Sequence, residues 1–109
     1  MFEFESCRIG LYILELENNN YYVGITRNGL ENRITQHFTG NGAKWTKKHH
    51  PVSIHDYYMF ARDFDIEFLE DTITLKMMNE MGWENVRGGS WCMVDMKEPP
   101  ARLLEKYDV

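Results

Sequence analysis

Five side chains of types that act in phosphate chemistry are spread along this chain of 109 residues. Tyr12 and Tyr22 lie in two apolar segments, Arg33 and His37 are four residues apart, and Glu70 follows later. A spacing of four places Arg33 and His37 on one face of a helix. An arginine can fork onto a phosphate oxygen, and a lone carboxylate suits a magnesium ion, which keeps several of its own waters. The first question is whether the two tyrosines pack or react.

The segments around the tyrosines predict a β-hairpin. Both are rich in branched and aromatic residues, and they are separated by three asparagines at 18–20, which tolerate left-handed backbone conformations. A three-residue loop at 18–20 pairs Tyr22 with Leu16 and Tyr12 with Thr26. Because side chains alternate along a strand, this register places both tyrosine rings on one face of the sheet.

Apolar periodicity predicts the remaining elements. We expect helices at 30–38 and 63–81, a third strand at 52–60, a loop at 85–89 and a short helix at about 100–107. The segment AKWTKKHH is either a short helix or an ordered loop. The predicted order is β-β-α-α-β-α-α, an α+β fold with a small three-stranded antiparallel sheet flanked by helices. We expect a single domain over residues 1–109, with its core at about 8–90.

Charge is distributed unevenly. The net charge of −5 argues against a nucleic-acid partner, but residues 27–50 hold five cations against one acid. Such a basic segment can bind phosphate or can simply be a solvated face, and composition leaves both open. No apolar stretch reaches the roughly 20 residues of a membrane helix, and the acidic N-terminus is unlike a signal peptide. We therefore expect an intracellular, cytoplasmic protein without a membrane partner.

The cysteines and histidines have a structural and a metal-binding interpretation. Cys7 and Cys92 are most simply reduced thiols of an intracellular protein, with a disulfide as the alternative. A zinc site built from these two with His49, His50 and His55 is disfavoured, because no Cys-x-x-Cys or His-x3-His spacing supports it.

Taken in order, these residues resemble the GIY-YIG nuclease superfamily. The resemblance rests on Gly10-Leu11-Tyr12, Tyr22-Val23-Gly24, the helical Arg33 and His37, a glutamate in a long helix and a later asparagine. It covers roughly residues 8–90. The segments GAKWTKKHHP and NVRGGSW further resemble small members common in phages and large DNA viruses. Leu11 and Val23 stand where the family usually has other apolar residues, and the acidic net charge is a further departure.

The resemblance implies a divalent-metal-dependent endonuclease that hydrolyses phosphodiester bonds in DNA, with Mg²⁺ as cofactor or Mn²⁺ in its place. It assigns catalytic roles to both tyrosines, Arg33, His37 and Glu70. Tyr12 is the proposed base, and cations near it are expected to lower its pKa. Glu70 is the metal ligand. Substrate-binding roles fall to Gly24, Lys44, Thr46 and Asn85.

Alternatives remain beside this interpretation. The fold could serve as a non-catalytic module that binds nucleic acid or protein, and the acidic surface would favour a protein partner. Each site residue could also be structural: Glu70 the solvent edge of an acidic helix, Tyr22 a packed aromatic, Asn85 a loop cap. DNA preference is left open, and so is the choice between a monomer and a weak dimer. A viral member would act in the host cell.

Overall fold

The computed structural model describes residues 8–62 and 64–107, which form an α+β fold around a mixed sheet. Its strands are β1 (Arg8–Leu16), β2 (Asn20–Thr26), β3 (Pro51–Ala61) and β4 (Val86–Gly88). Its helices are α1 (Leu30–Phe38), α2 (Lys44–Lys48), α3 (Ile66–Met81) and α4 (Ala101–Tyr107). Two 3₁₀ turns, Glu17–Asn19 and Trp83–Asn85, precede β2 and β4. The predicted α+β class is confirmed, and the segment left open between helix and loop forms α2.

The sheet has one more strand than predicted. Its order is β3-β1-β2-β4, antiparallel except for the pair β2 and β4. The predicted loop at 85–89 is therefore wrong in part, because Val86–Gly88 adds a short parallel strand. Periodicity could not show a strand of three residues. Gly88 is required there, since a Cβ on it would lie 2.3 Å from the carbonyl oxygen of Val23.

The hairpin loop lies one residue earlier than predicted, which moves the strand partner of each residue by two positions. Tyr12 pairs with Gly24 and Tyr22 with Leu14, so the predicted partners are wrong. The loop is Glu17–Asn19 because Asn20 joins the strand, where its side-chain Nδ2 donates to the Glu17 carbonyl at 2.9 Å. The change is an even number of positions, and the prediction that both tyrosines share a face is confirmed.

Helices cover both faces of the hairpin. On the tyrosine face, Leu14 and Leu16 pack with Ile34 of α1 and Trp45 of α2. On the opposite face, the side chains of β1, β2 and β4 pack with those of α3 and α4; this core contains Ile13, Tyr21, Val23, Leu75, Met77, Met78, Val86 and Leu103. Tyr21 is thus a packing residue. Among the described residues, no helix is both long and apolar enough to cross a bilayer.

Candidate active site

Three aromatic rings meet on the tyrosine face of the hairpin. The ring centroids of Tyr12 and Tyr22 are 6.3 Å apart, and the His37 ring lies 5.5 Å from the first and 5.0 Å from the second. Tyr12 and His37 are fully buried, whereas Tyr22 keeps 8% of its surface exposed. Together with Arg33 and Glu70, these three residues form what we call the tyrosine site.

Gly24 makes room for the rings. It lies directly opposite Tyr12 in the hairpin, and a Cβ at this position would be 2.5 Å from Tyr12 Oη and 2.8 Å from Tyr22 Cε2. Any side chain here would therefore displace both tyrosines. Within the hairpin, the role visible for this glycine is to let the rings cross the strand closely.

A chain of hydrogen bonds holds Tyr12 in place. Tyr12 Oη lies 2.7 Å from His37 Nε2, His37 Nδ1 lies 2.9 Å from Thr46 Oγ1, and Thr46 Oγ1 lies 2.9 Å from the Ala43 carbonyl oxygen. The donor and acceptor roles depend on the tautomer of His37, because the Ala43 backbone N–H also donates to Nδ1 at 3.4 Å. With its proton on Nδ1, His37 donates to Thr46 and accepts the Tyr12 hydroxyl proton at Nε2. With its proton on Nε2, it accepts at Nδ1 and donates to Tyr12 Oη.

Burial keeps the side chains of Tyr12, Tyr22 and His37 neutral. It lowers the pKa of His37 to about 4, with the charge of Arg33 as a second cause. It raises the pKa of Tyr22 to about 12 and that of Tyr12 further still, although Arg33 acts in the opposite direction on both. Arg33 thus lowers the pKa of Tyr12, as predicted, but desolvation outweighs Arg33, and the net pKa is raised.

The depressed pKa of His37 predicts a pH-dependent stability. Unfolded, this histidine gains a proton near pH 6.5, but folded it does so only near pH 4, so the unfolded state binds more protons between these values. Stability is therefore full above pH 6.5 and falls as the pH drops towards 4. We expect the free energy of unfolding of wild type, relative to His37→Gln, to fall by about 2–3 kcal/mol between pH 7.5 and pH 4.5. Urea titrations of both proteins at the two pH values measure this change. If the difference in unfolding free energy between the two proteins were the same at both pH values, the pKa of His37 would not be lowered by folding.

Arg33 joins the tyrosines to the outer surface of α1. It is half-buried, and its guanidinium acts on the hydroxyls of both Tyr12 and Tyr22, lowering the pKa of each by charge and by hydrogen bonding. Its Nη1 donates to Gln36 Oε1 at 2.7 Å. Among the described residues, no acidic side chain forms a salt bridge with Arg33. Its charge is therefore available to an anion.

Glu70 brings a half-buried carboxyl group to the site from α3. Burial, with the charge of Asp71 as the second cause, raises its pKa to about 7, and the backbone N–H of Gly89 acts against both. The adjacent loop is fixed by Asp71, which accepts from the backbone N–H and the hydroxyl of Ser90 at 2.8 and 2.7 Å. Glu70 forms no salt bridge with a described residue, and the charge of Arg27 is the weakest of the causes that act on its pKa. A bound cation would stabilise the ionised form of this desolvated carboxyl group.

The donor set suits a metal that needs few protein ligands. In the described part of the chain no group of three or more histidine, cysteine or acidic side chains could enclose an ion. Zinc sites have three or four such ligands, whereas Mg²⁺ is often bound through one or two carboxylates and its own waters. Glu70 fits the second pattern. Cys7 lies outside the described residues, so its part in the zinc and disulfide alternatives is untested.

Cys92 is a neighbour of the site that the sequence did not reveal. Its thiol donates to the Gly89 carbonyl at 3.1 Å, and the charges of Glu70 and Asp71, after burial, raise its pKa. The charge of Cys92 in turn raises the pKa of Tyr22. A cysteine 22 positions after the glutamate gives no periodic signal, and only the path of the Gly88–Gly89 turn brings it here.

The predicted substrate-binding residues differ in their exposure and in their hydrogen-bond partners. Thr46 is buried and both of its neighbours are protein groups, so the predicted contact with phosphate is wrong and its role is to hold His37. Lys44 is exposed at the first position of α2. Asn85 donates to the Met81 carbonyl at 2.8 Å, which is the contact expected of the loop-capping alternative. Trp45 packs and is not free to stack on a base.

An arginine that the sequence did not single out anchors α2. Arg87 is buried, and its guanidinium donates to the carbonyl oxygens of Trp83, Val86, Met93 and Val94 while lying 4.4 Å from the Trp45 ring centroid. Trp45 in turn donates from Nε1 to the Tyr21 carbonyl at 3.0 Å. This contact fixes α2 against the hairpin, and with it the threonine that holds His37.

Comparison of the sequence with protein-family models identifies the class of protein to which this fold and this tyrosine site belong. The chain belongs to the GIY-YIG family: the model of the GIY-YIG catalytic domain matches residues 8–76, which include Tyr12, Tyr22, Arg33, His37 and Glu70. The predicted resemblance to this superfamily is thereby confirmed.

Similar proteins come from bacteria. The chain is 35% identical over 77 residues to UPF0213 protein SH2523 of Staphylococcus haemolyticus, covering 64% of this chain and 93% of that protein. It is 46% identical over 44 residues to UPF0213 protein XAC3202 of Xanthomonas axonopodis pv. citri, covering 40% and 42% of the two chains. It is 38% identical over 53 residues to UPF0213 protein YazA of Bacillus subtilis, covering 49% and 48%. No solved structure gives a significant match.

Proposed function

We propose that this protein is a divalent-metal-dependent endonuclease that hydrolyses phosphodiester bonds in DNA. Membership of a family defined by a catalytic domain supports nuclease chemistry in general. The observation that carries the finer proposal is that Arg33 and Glu70 both act on the pKa of the neighbouring Tyr12 and Tyr22. Among the described residues Arg33 forms no salt bridge, and Glu70 is desolvated. Each has a part in phosphodiester hydrolysis, and a binding module would need none of them buried together.

Arg33 is the proposed phosphate ligand. Its guanidinium can donate in parallel to two phosphate oxygens, and it stands beside the two tyrosine hydroxyls. Tyr22, with 8% of its surface exposed, can donate to the same phosphate or to the attacking water. Glu70 would hold the metal ion, which when bound polarises the phosphate and neutralises developing charge.

Tyr12 with His37 offers a route for the proton of the attacking water. A phenolate is inaccessible because burial raises the pKa of Tyr12 far above neutrality. In the His37 tautomer that we propose for the reaction, with its proton on Nδ1, the Tyr12 hydroxyl donates to the lone pair of Nε2 at 2.7 Å. As the water attacks phosphorus, its proton would move to Tyr12 Oη while the tyrosine proton moves to His37, so no free phenolate forms. The new P–O bond forms as the bond from phosphorus to the leaving deoxyribose oxygen breaks, that oxygen takes a proton from solvent, and His37 then returns its proton to water.

We expect both Tyr12→Phe and Tyr22→Phe to fold. Each loses one hydroxyl, and the unfolding free energy should change by no more than about 1.5 kcal/mol. Tyr12→Phe should lose nearly all cleavage because the proton has no acceptor, whereas Tyr22→Phe should retain more. Initial cleavage rates and thermal melts of the three proteins measure this. A fully active Tyr12→Phe protein would make Tyr12 a packing residue.

DNA is the proposed partner, despite the net charge of −5. Arg33 and the exposed Lys44, Lys47 and Lys48 supply local positive charge on α1 and α2. Because these charges are few, binding should be weak at high salt. A cytoplasmic location, and a monomer or weak dimer, remain our expectations.

The substrate panel that tests the proposal separates cleavage from binding. Supercoiled, single-stranded and branched DNA would each be incubated with the purified chain and Mg²⁺, Mn²⁺ or chelator. We expect cleavage with either metal and none with chelator. Binding of DNA without cleavage under every condition would instead favour the non-catalytic binding module.

A further inference from the structure

An open pocket borders the tyrosine site, and Arg33 belongs to both. The pocket has a volume of about 440 Å³ and lies between the end of β2, the turn that follows it and the first turns of α1. On one side the Arg33 guanidinium acts on the tyrosine hydroxyls, and on the other it contacts Gln36 in the wall of the pocket. A group bound to Arg33 therefore has the pocket as its neighbour.

Three of the eight residues that line this pocket carry an amide side chain. Asn28, Asn32 and Gln36 all line it. Gln36 accepts from Arg33 through Oε1, which leaves its amide N–H groups available. Asn28 and Asn32 are exposed, and within the part of the chain that the structure describes neither side chain has a hydrogen-bond partner. An amide presents a donor beside an acceptor, which is the pattern on the edges of the nucleobases.

The cation at the rim is already neutralised. Arg27 contacts the carboxylate of Glu67, and the pKa of Glu67 is lowered chiefly by this contact. The Arg27 carbonyl in turn accepts from Arg62 Nη2 at 3.2 Å. With Arg27 paired and Arg33 assigned to the scissile phosphate, the remaining polar side chains of the pocket are neutral, which suits a base better than a second phosphate.

We propose that this pocket binds the base of the nucleotide next to the scissile phosphate and that Asn28 and Asn32 read its hydrogen-bonding edge. The inference rests on the proposed function, because Arg33 must hold that phosphate. A volume of about 440 Å³ is within the range of small-ligand pockets. A base in such a pocket has left the duplex stack, so the substrate is a strand that is single or locally unpaired at this position.

Nuclear magnetic resonance tests base binding without relying on activity. The ¹⁵N-labelled chain would be titrated with each of the four deoxynucleoside monophosphates and with deoxyribose 5-phosphate. We expect the side-chain amide signals of Asn28 and Asn32 to shift saturably with at least one nucleotide and not with the sugar phosphate. Asn79, an exposed asparagine of α3, is the control and should not shift. Equal shifts with the sugar phosphate, or none at all, would overturn the proposal.

Combining a protein variant with a substrate that lacks one base then tests where the base binds. The cleavage site would be mapped on a labelled single strand, and an abasic nucleotide placed on either side of it. Asn32→Ala should lower kcat/KM about tenfold on the intact strand but leave it unchanged on the strand that lacks the recognised base. Asn79→Ala should leave both rates unchanged.

The outcomes separate the two proposals. An equal loss from Asn32→Ala on both strands, or no loss, would overturn base recognition while leaving the nuclease proposal intact. Nucleotide shifts without cleavage of any DNA would support the pocket and contradict the nuclease proposal.

Discussion

Glu70→Gln is expected to reduce metal-dependent cleavage by about 10³-fold or more while the fold stays intact. The amide is nearly isosteric with the carboxylate but cannot supply the negative charge that binds the metal. The fold should tolerate the change because burial disfavours the ionised form, as the raised pKa of about 7 shows. In chelator above pH 7, the variant should therefore be at least as stable as wild type, since the charge that costs desolvation is gone. Initial cleavage rates and chemical unfolding measure the two effects.

Glu80→Gln is the matched control for this prediction. Glu80 lies on the same helix, is exposed and pairs with Lys76 at 2.7 Å. Its loss should leave cleavage unchanged, because an exposed pair of this kind contributes little. If Glu70→Gln folded and cleaved at the wild-type rate, Glu70 would be the solvent edge of α3 and not a metal ligand.

Arg33→Lys is expected to lower the cleavage rate by about 10²-fold or more, although the charge is conserved. The Arg33 guanidinium contacts Gln36 and the two tyrosine hydroxyls together, and it must still fork onto the phosphate. A lysine ammonium is a point charge and cannot present these contacts at once. The loss should fall mainly on kcat, because the contact strengthens as negative charge develops on the phosphate.

Arg33→Gln separates the geometry of the guanidinium from its charge. If the fork matters, Arg33→Lys should resemble Arg33→Gln in rate more than it resembles wild type. Thermal melts of both variants check that the tyrosine site still folds. A fall of only a few-fold in Arg33→Lys would return Arg33 to the role of a surface charge on α1.

The sequence predicted the features that depend on local periodicity. Alternation along the two strands placed Tyr12 and Tyr22 on one face, and the spacing of Leu30, Ile34 and Phe38 placed the helix that carries Arg33. The exact register failed because it depends on whether Asn20 belongs to the turn or the strand. That choice is made by its contact with the Glu17 carbonyl, which no pattern of residue types encodes.

The parts of the site that depend on how the backbone turns were not predictable. Thr46 carries the signature of a phosphate ligand in a basic segment, but α2 turns it inward onto His37. Arg87 was taken for a loop residue, yet four carbonyls and Trp45 surround it. In both cases the hydrogen-bond partners lie within nine residues along the chain, but only the turns of the folded backbone bring them to the side chain. Those partners decide whether a polar side chain is structural or free.

The most direct test of the nuclease proposal is nicking of supercoiled DNA in Mg²⁺ by wild type and by a Tyr12→Phe/Glu70→Gln double variant. The two proteins would be purified in parallel, so that any contaminating nuclease is present in both. Loss of the supercoiled form with time is the single quantity measured. We predict that wild type nicks the DNA, that chelator abolishes the reaction and that the folded double variant is inactive. Equal nicking by both proteins, or none by either, would contradict the assignment of hydrolysis to the tyrosine site.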